Sequence, residues 1–351
     1  MPVAGQLEPG EVKAALEPWM AERLPGARGV RIVDVTIPQS SGFSNETFLL
    51  TAAWSDAEGD QAVELVVRSQ SASNVLFPEA DLVNQQFRTM QLLGEHSDVP
   101  VAHMRWAEPD PGVLGRPFFV MDRLHGQVPG DSPPYTTTGF VMEMDRATRH
   151  RWHRNAIEAM TRVNRVDWRR HGFDYLDQSH HGALGPEQRH NYFDHYRQWT
   201  TRGNDHPVID RAWKWLDANW PDDGDHVDLC WGDARPGNEM FQGTEVVGVF
   251  DWEMVSLGNS ESDIGWWVFL QRYHTDGNGV PLPEGMLDRD ETIAEWERLC
   301  GRRAVHVDFY ERLGGFHFTL VMVRLAEALN IPGMAVDNPV AHLTQRLIEA
   351  S

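Results

Sequence analysis

The chain has 351 residues, 41% of them hydrophobic, too long for one small core and suited to two lobes. Its 52 acidic residues outweigh 31 basic ones; the formal charge of −21 argues against nucleic acid or an anionic membrane as partner and is compatible with a cationic ligand, although acids spread over the whole chain serve solubility equally well. No run of eighteen apolar residues occurs, residues 1–8 lack the basic start and apolar core of a signal peptide, and two cysteines without a Cys-x-x-Cys give neither a disulfide framework nor a zinc site, so a cytoplasmic protein is expected.

Residues 8–24 place Val12, Ala15, Leu16, Trp19, Met20 and Leu24 at helical spacing, a stripe interrupted by Pro18 and ended by Pro25-Gly26. The period then changes to two. Residues 30–37, 48–54 and 62–68 read as strands opening an antiparallel sheet, with the small, polar stretch 39–47 around Gly42 between the first two. A helix over 77–93, carrying Leu82, Phe87, Met90 and Leu93 near one face, is followed by strands over 99–106 and 117–124 that complete the sheet. The glycine- and proline-bearing stretch 125–130 ends it.

Helical spacing dominates afterwards, over 149–167, 190–199 and 209–220, before a strand at 226–231 that buries Cys230. Residues 239–242 and 245–250 flank Gly243 as a hairpin, the aromatic run 266–270 reads as core with one ring free to line an acceptor pocket, and helices follow over 290–299 and 307–328. His150, His153, His171, His180, His181, His190 and His195 show no metal-binding spacing and read as exposed side chains.

The chemistry concentrates in residues 229–253. Asp233 and Asn238 are separated by four residues, the interval at which a kinase catalytic loop carries its base and a magnesium ligand, and the hairpin brings Asp251 back beside Asn238 as a second ligand. Phosphoryl transfer needs an acceptor hydroxyl aimed in line and cations on the phosphate oxygens, tasks that suit a base, an amide oxygen and a carboxylate. Arg235, two residues past the base, can touch the transferred phosphate through its fork of donors, or stand in solvent.

These residues, in this order, resemble the aminoglycoside phosphotransferases and their kinase-like relatives, choline kinases and hydroxyacyl-coenzyme A kinases among them. Residues 231–238, Trp-Gly-Asp-Ala-Arg-Pro-Gly-Asn, stand where that family has His-Gly-Asp-x-x-x-x-Asn, as in actinobacterial members that also carry Trp-Gly-Asp; residues 251–253, Asp-Trp-Glu, match its second motif. The resemblance implies an α+β, bilobal protein kinase-like fold. Residues 1–124 would form a nucleotide-binding lobe of antiparallel sheet plus helix, and 125–351 a larger, mostly helical catalytic and acceptor lobe.

It also implies ATP or GTP with Mg2+, Asp233 as base, and Asn238 and Asp251 as metal ligands. Ser41, Gly42, Phe43, Ser44 and Asn45 would cover the nucleotide phosphates, and Arg68 would stand where kinases carry the lysine that grips them, with Gln86 replacing its usual glutamate. Backbone from Met121 to Arg123 would offer adenine one acceptor and one donor. The later Asp263 would buttress the catalytic loop, and Trp231 in place of histidine would pack behind it.

The first reading is therefore a kinase moving the γ-phosphate to a hydroxyl of a small molecule: an aminoglycoside, a hydroxyacyl thioester, an amino alcohol or a sugar. The departures at Trp231, Arg68 and Gln86 admit an inactive nucleotide-binding regulatory module. A metal-dependent hydrolase using Asp251 and Glu253 leaves the glycine turn and Arg68 unexplained.

Overall fold

The computed structural model describes residues 7–38, 45–70, 76–79, 81–222 and 226–350; Ser41, Gly42, Phe43 and Ser44 of the expected phosphate-covering turn lie outside the described residues. The chain divides into two units. Met1–Val75, Glu79–Gln91 and Ala102–Leu124 form the first, and Leu76–Pro78, Leu92–Val101 and His125–Ser351 the second.

In the first unit α1 (Pro9–Arg23) is followed by β1 (Arg28–Thr36), β2 (Asn45–Asp56) and β3 (Gly59–Gln70), and later by β4 (Met104–Glu108) and β5 (Phe118–Asp122). The five strands make one antiparallel sheet in the order β1-β2-β3-β5-β4. One face is apolar and meets α1: Val12, Leu16, Trp19 and Met20 pack with Ile32, Phe48, Leu50, Leu65, Val67 and Phe118. Contrary to the sequence reading, α1 runs through Pro18 unbroken. The proline ring and Ala14, whose carbonyl loses its helical partner, are both exposed, so water satisfies what the helix cannot.

The expected helix at 77–93 also differs. A π-helical turn over Leu82–Phe87, capped by Asp81 accepting from Asn84 N–H (3.0 Å), leads into α2 (Arg88–His96). The spacing of five between Leu82 and Phe87 is the i→i+5 step of that turn. Strand β4 begins at Met104 rather than at 99, because the stretch before it belongs to the second unit, where Pro100 O accepts from Val249 N–H (2.7 Å).

The second unit is mostly helical: α3 (Phe140–Glu143), α4 (Arg146–Asn164), α5 (Pro186–Thr201) and α6 (Pro207–Ala218) precede β6 (Asp228–Cys230). The hairpin β7 (Glu239–Gln242) and β8 (Glu245–Val249) follows, and then β9 (Ser256–Gly258), which pairs antiparallel with β6. Helices α7 (Glu261–His274), α8 (Arg289–Cys300), α9 (Val307–Ala328), α10 (Pro332–Val336) and α11 (Pro339–Glu349) complete the unit. Helices α7 and α9 touch backbone to backbone at Gly265, where a Cβ would lie 2.4 Å from the Tyr310 carbonyl carbon. Among the described residues no helix is long and apolar enough to cross a membrane.

His153 corrects the reading of the histidines as exposed. It is fully buried on α4, and its Nδ1 accepts Leu287 N–H (2.9 Å), which fixes the neutral ring. Burial, with His150 adding to it, pushes its pKa down to about 3 from 6.5. Between those values the unfolded chain carries a proton on this ring that the folded chain does not, so stability is lost as pH falls below 6.5. His153→Asn keeps an acceptor for Leu287. Wild type should therefore lose about 2 kcal/mol more than the variant between pH 6.5 and about pH 5, measured by urea unfolding at both. Parallel pH profiles would contradict this.

Candidate active site

The loop between β6 and β7 is held from two sides. Beneath it lies Asp263 of α7, fully buried: its Oδ1 accepts Gly232 N–H (2.8 Å), and its Oδ2 accepts Trp231 N–H (2.8 Å) and Asn164 Nδ2 (2.7 Å). Burial pushes this carboxyl up to about 6 while those three donors pull it down, so it is ionised at neutral pH. Beyond the hairpin, Phe250 N–H donates to Asn238 O (2.9 Å) and Trp231 Nε1 donates to Phe250 O (2.8 Å). The segment bearing Asp251 is thereby strapped to the one bearing Asp233. Trp231, fully buried and 5.9 Å from the Trp252 ring, packs behind the loop.

Asp251 stands in the left-handed region (φ 58°, ψ 67°), a conformation costing a non-glycine residue about 1–3 kcal/mol and concentrated at functional sites. Gly232 (φ 91°) is needed for a different reason: a Cβ there would sit 2.2 Å from Met254 O.

Asp233 is the hub. Its Oδ1 accepts from Trp266 Nε1 (2.9 Å) and Arg235 Nε (3.0 Å), and its Oδ2 from Asn238 Nδ2 (2.7 Å) and Arg235 Nε (3.1 Å). Asn238 Nδ2 also donates to Asp233 O (3.1 Å). With the amide NH2 so engaged, Oδ1 is the Asn238 atom left to meet a cation.

Arg235 Nη1 donates to Asp131 Oδ2, while Asp131 Oδ1 lies 3.5 Å from His274 Nε2. Burial works against the Arg235 charge, but Asp233 and Asp131 outweigh it and the net shift is upward, so the guanidinium stays charged. Next to Asn238, Glu239 is fully buried, burial pushes its carboxyl well up, and neither oxygen has a hydrogen-bond partner among the described residues.

The remaining expected residues lie on the first unit. Arg68 of β3 stands in register between Thr47 of β2 and Phe119 of β5, on the sheet face opposite the one where Leu65 and Val67 meet α1. Asn45 opens β2 opposite Gln70, and Gln86 is buried in the π-helical turn. Met121 lies within β5, paired with Val66 and Met104. Arg123 needs a correction: its N–H donates to Glu64 O (3.1 Å) as part of the sheet and its Nη1 pairs with Glu64 Oε1 (3.1 Å), so this amide is not a spare backbone donor.

The structure thus joins Asp233, Arg235 and Asn238 by direct hydrogen bonds and places Asp251 one residue past the strap to Asn238. The sequence reading missed Asp131, which has no motif around it. It also missed that Trp266, read as core, reaches Asp233 with its one polar atom.

Comparison with known proteins agrees with this architecture. The model of the phosphotransferase enzyme family matches residues 36–301, well over half of the chain. Among solved structures, a candidate aminoglycoside phosphotransferase from Ralstonia eutropha JMP134 is 22% identical, covers 96% of this chain and 98% of its own, and superposes with a TM-score of 0.69. Macrolide 2'-phosphotransferase MphH from Brachybacterium faecium is 15% identical, with 92% and 97% covered and a TM-score of 0.56. Aminoglycoside phosphotransferase APH(4)-Ia, solved as a ternary complex with AMP-PNP and hygromycin B, is 12% identical, with 96% and 98% covered and a TM-score of 0.57. At these identities the likeness concerns the fold, the α+β kinase-like phosphotransferase fold.

Acyl-CoA dehydrogenase family member 11 of Homo sapiens is 23% identical over 78% of this chain and 34% of that protein. The chain spans about a third of the length of the curated relatives it matches. The family match covers strands β2 to β5 of the sheet, the loop around Asp233 and the hairpin leading to Asp251; the chain belongs to the phosphotransferase enzyme family.

Proposed function

We propose that this protein transfers the γ-phosphate of ATP, or of GTP, to a hydroxyl of a small molecule, with Asp233 as general base and Asn238 and Asp251 as the magnesium ligands. The reading is carried by the state of Asn238: its NH2 is fastened to Asp233 and its oxygen is left for a cation, beside an aspartate held at positive φ. An amide oxygen and a carboxylate are the hard donors magnesium prefers, so the residues fit the ion, which when bound would neutralise phosphate oxygens.

Asp233 takes the acceptor's proton as its oxygen bonds to the γ-phosphorus and the bond to the β-phosphate oxygen breaks, leaving the diphosphate. Arg235 forms an ion pair with this base (3.0 Å). Its Nε and one Nη1 N–H are engaged, and its other donors are the ones to reach the transferred phosphate. We assign the nucleotide to residues 1–124, with Arg68 on its phosphates, and catalysis with acceptor binding to 125–351, in a cytoplasmic setting where ATP and magnesium are plentiful.

Hydroxyl-bearing acyl thioesters, suggested by the names of the curated relatives, and aminoglycosides, suggested by the structural neighbours, are the acceptor classes to try first. The test is a single-turnover assay with γ-labelled ATP, magnesium and each acceptor. Label should move to a hydroxyl in wild type and not in Asp233→Asn. Release of label as free phosphate at the same rate in both proteins would sink the assignment.

A further inference from the structure

Arg235 is held by two carboxylates that are distant from each other in the chain. Its Nε donates to both oxygens of Asp233 (3.0 and 3.1 Å), and its Nη1 donates to Asp131 Oδ2. The mechanism uses Asp233 and gives Asp131 nothing to do.

The segment bearing Asp131 is nevertheless built into the site. Thr136 Oγ1 donates to His274 O at the end of α7 (2.7 Å), Tyr135 N–H donates to Gly130 O (2.7 Å), and the buried Tyr135 ring lies 5.4 Å from the His274 ring. One helix attends to both carboxylates. Trp266, midway along α7, donates to Asp233 Oδ1 (2.9 Å), and His274, its last residue, places Nε2 3.5 Å from Asp131 Oδ1.

Gly237 lies against the bridge between them. A Cβ there would come within 2.6 Å of Arg235 Nη1 and 2.6 Å of Asp131 Oδ1, so the loop makes room for this pair by carrying no side chain at that point.

A guanidinium is a planar fork. Fastened at Nε alone it can still swing with its flexible stem, whereas a second anchor on Nη1 fixes both its plane and its direction. Nη2 is the edge left over, and the two anchors together decide where it points. A donor assists a phosphoryl group in transfer only if it stands in place beforehand, and a misplacement of about 1 Å can cost about 10²-fold.

We infer that Asp131 is a positioning residue: it acts through Arg235, turning the Nη2 edge of the guanidinium toward the phosphoryl group in transfer, and touches neither nucleotide nor acceptor itself. This rests on the kinase reading above and adds to it a residue that no motif marks.

The test compares two probes that need no acceptor. ADP with magnesium and aluminium fluoride imitates the phosphoryl group in flight, and AMP-PNP with magnesium stands for the ground state. Affinities for both are measured by titration calorimetry on wild type, Asp131→Ala, Asp131→Asn, Arg235→Ala and the double variant of Asp131→Ala with Arg235→Ala. Asp131→Ala should weaken the aluminium fluoride complex roughly ten- to hundredfold and leave AMP-PNP within about threefold of wild type. Asp131→Asn keeps an oxygen for Nη1 and should lose less. Once Arg235 is alanine, removing Asp131 should cost nothing further, because its route to the phosphate is gone.

Wild-type affinity of Asp131→Ala for the aluminium fluoride complex overturns the inference. So do losses that add in the double variant, or an equal loss of AMP-PNP affinity, either of which makes Asp131 a contact in its own right. Failure of the kinase reading looks different: wild type would then bind the aluminium fluoride complex no more tightly than AMP-PNP, and the inference would fall with it. If wild type shows that preference and Arg235→Ala keeps it in full, the inference alone has failed.

Discussion

Asp233→Asn should lower turnover by roughly 10²–10⁴-fold, the range in which a positioned general base contributes. The substitution keeps shape and removes both the negative charge and the proton-accepting power. It also turns an NH2 toward donors, because Trp266 Nε1, Asn238 Nδ2 and Arg235 Nε all point at this carboxylate. Some stability should therefore be lost with the activity, and Arg235 keeps Asp131 as its ion-pair partner. Urea unfolding and nucleotide affinity separate the two effects. A variant that is folded, binds nucleotide and turns over within threefold of wild type would contradict the assignment.

Gly232→Ala should have the largest effect of any methyl addition near the site. The residue has φ 91°, and the new Cβ would lie 2.2 Å from Met254 O and 2.6 Å from its carbonyl carbon, backbone atoms that cannot move aside cheaply. Relief requires the loop to shift, which breaks the Gly232 N–H bond to Asp263 Oδ1 and carries Asp233 with it. A loss of at least about 2 kcal/mol in unfolding free energy is expected, with turnover falling further than stability. Alanine tolerated at wild-type stability would mean that this glycine is not required.

The catalytic stretch could be read from sequence because its parts are local. Asp233, Arg235 and Asn238 lie in one loop, and a tight hairpin at Gly243 returns the chain to Asp251, so spacing alone carries the geometry. The supports were harder to see, since Asp131, Asn164 and Trp266 arrive from distant positions and no periodicity marks a tryptophan whose Nε1 meets a carboxylate. For Arg235 the sequence leaves a phosphate contact and a place in solvent equally open; in the structure two carboxylates claim part of it.

In the sheet unit the strands followed from alternation, but two rules misled. A proline within a helical stripe predicts a break in α1, yet at Pro18 the unsatisfied carbonyl belongs to an exposed turn. The stripe before α2 predicts a regular helix of 3.6-residue period, but its first gap is five and a π-helical turn forms there. The C-terminal helix α11 passed unnoticed even though Asn338 caps it, accepting Ala341 N–H (2.9 Å), with Pro339 at its first position, a start signal that the sequence displays.

The central claim is that Asn238 and Asp251 share a cation next to Asp233. Its most direct test is a Mn2+ titration in the presence of AMP-PNP, followed by electron paramagnetic resonance, on wild type, Asn238→Ala and Asp251→Ala. Each substitution should weaken Mn2+ binding by at least about tenfold while the nucleotide still binds without metal. Equal Mn2+ affinity in all three proteins would place the cation elsewhere and remove the basis of the mechanism.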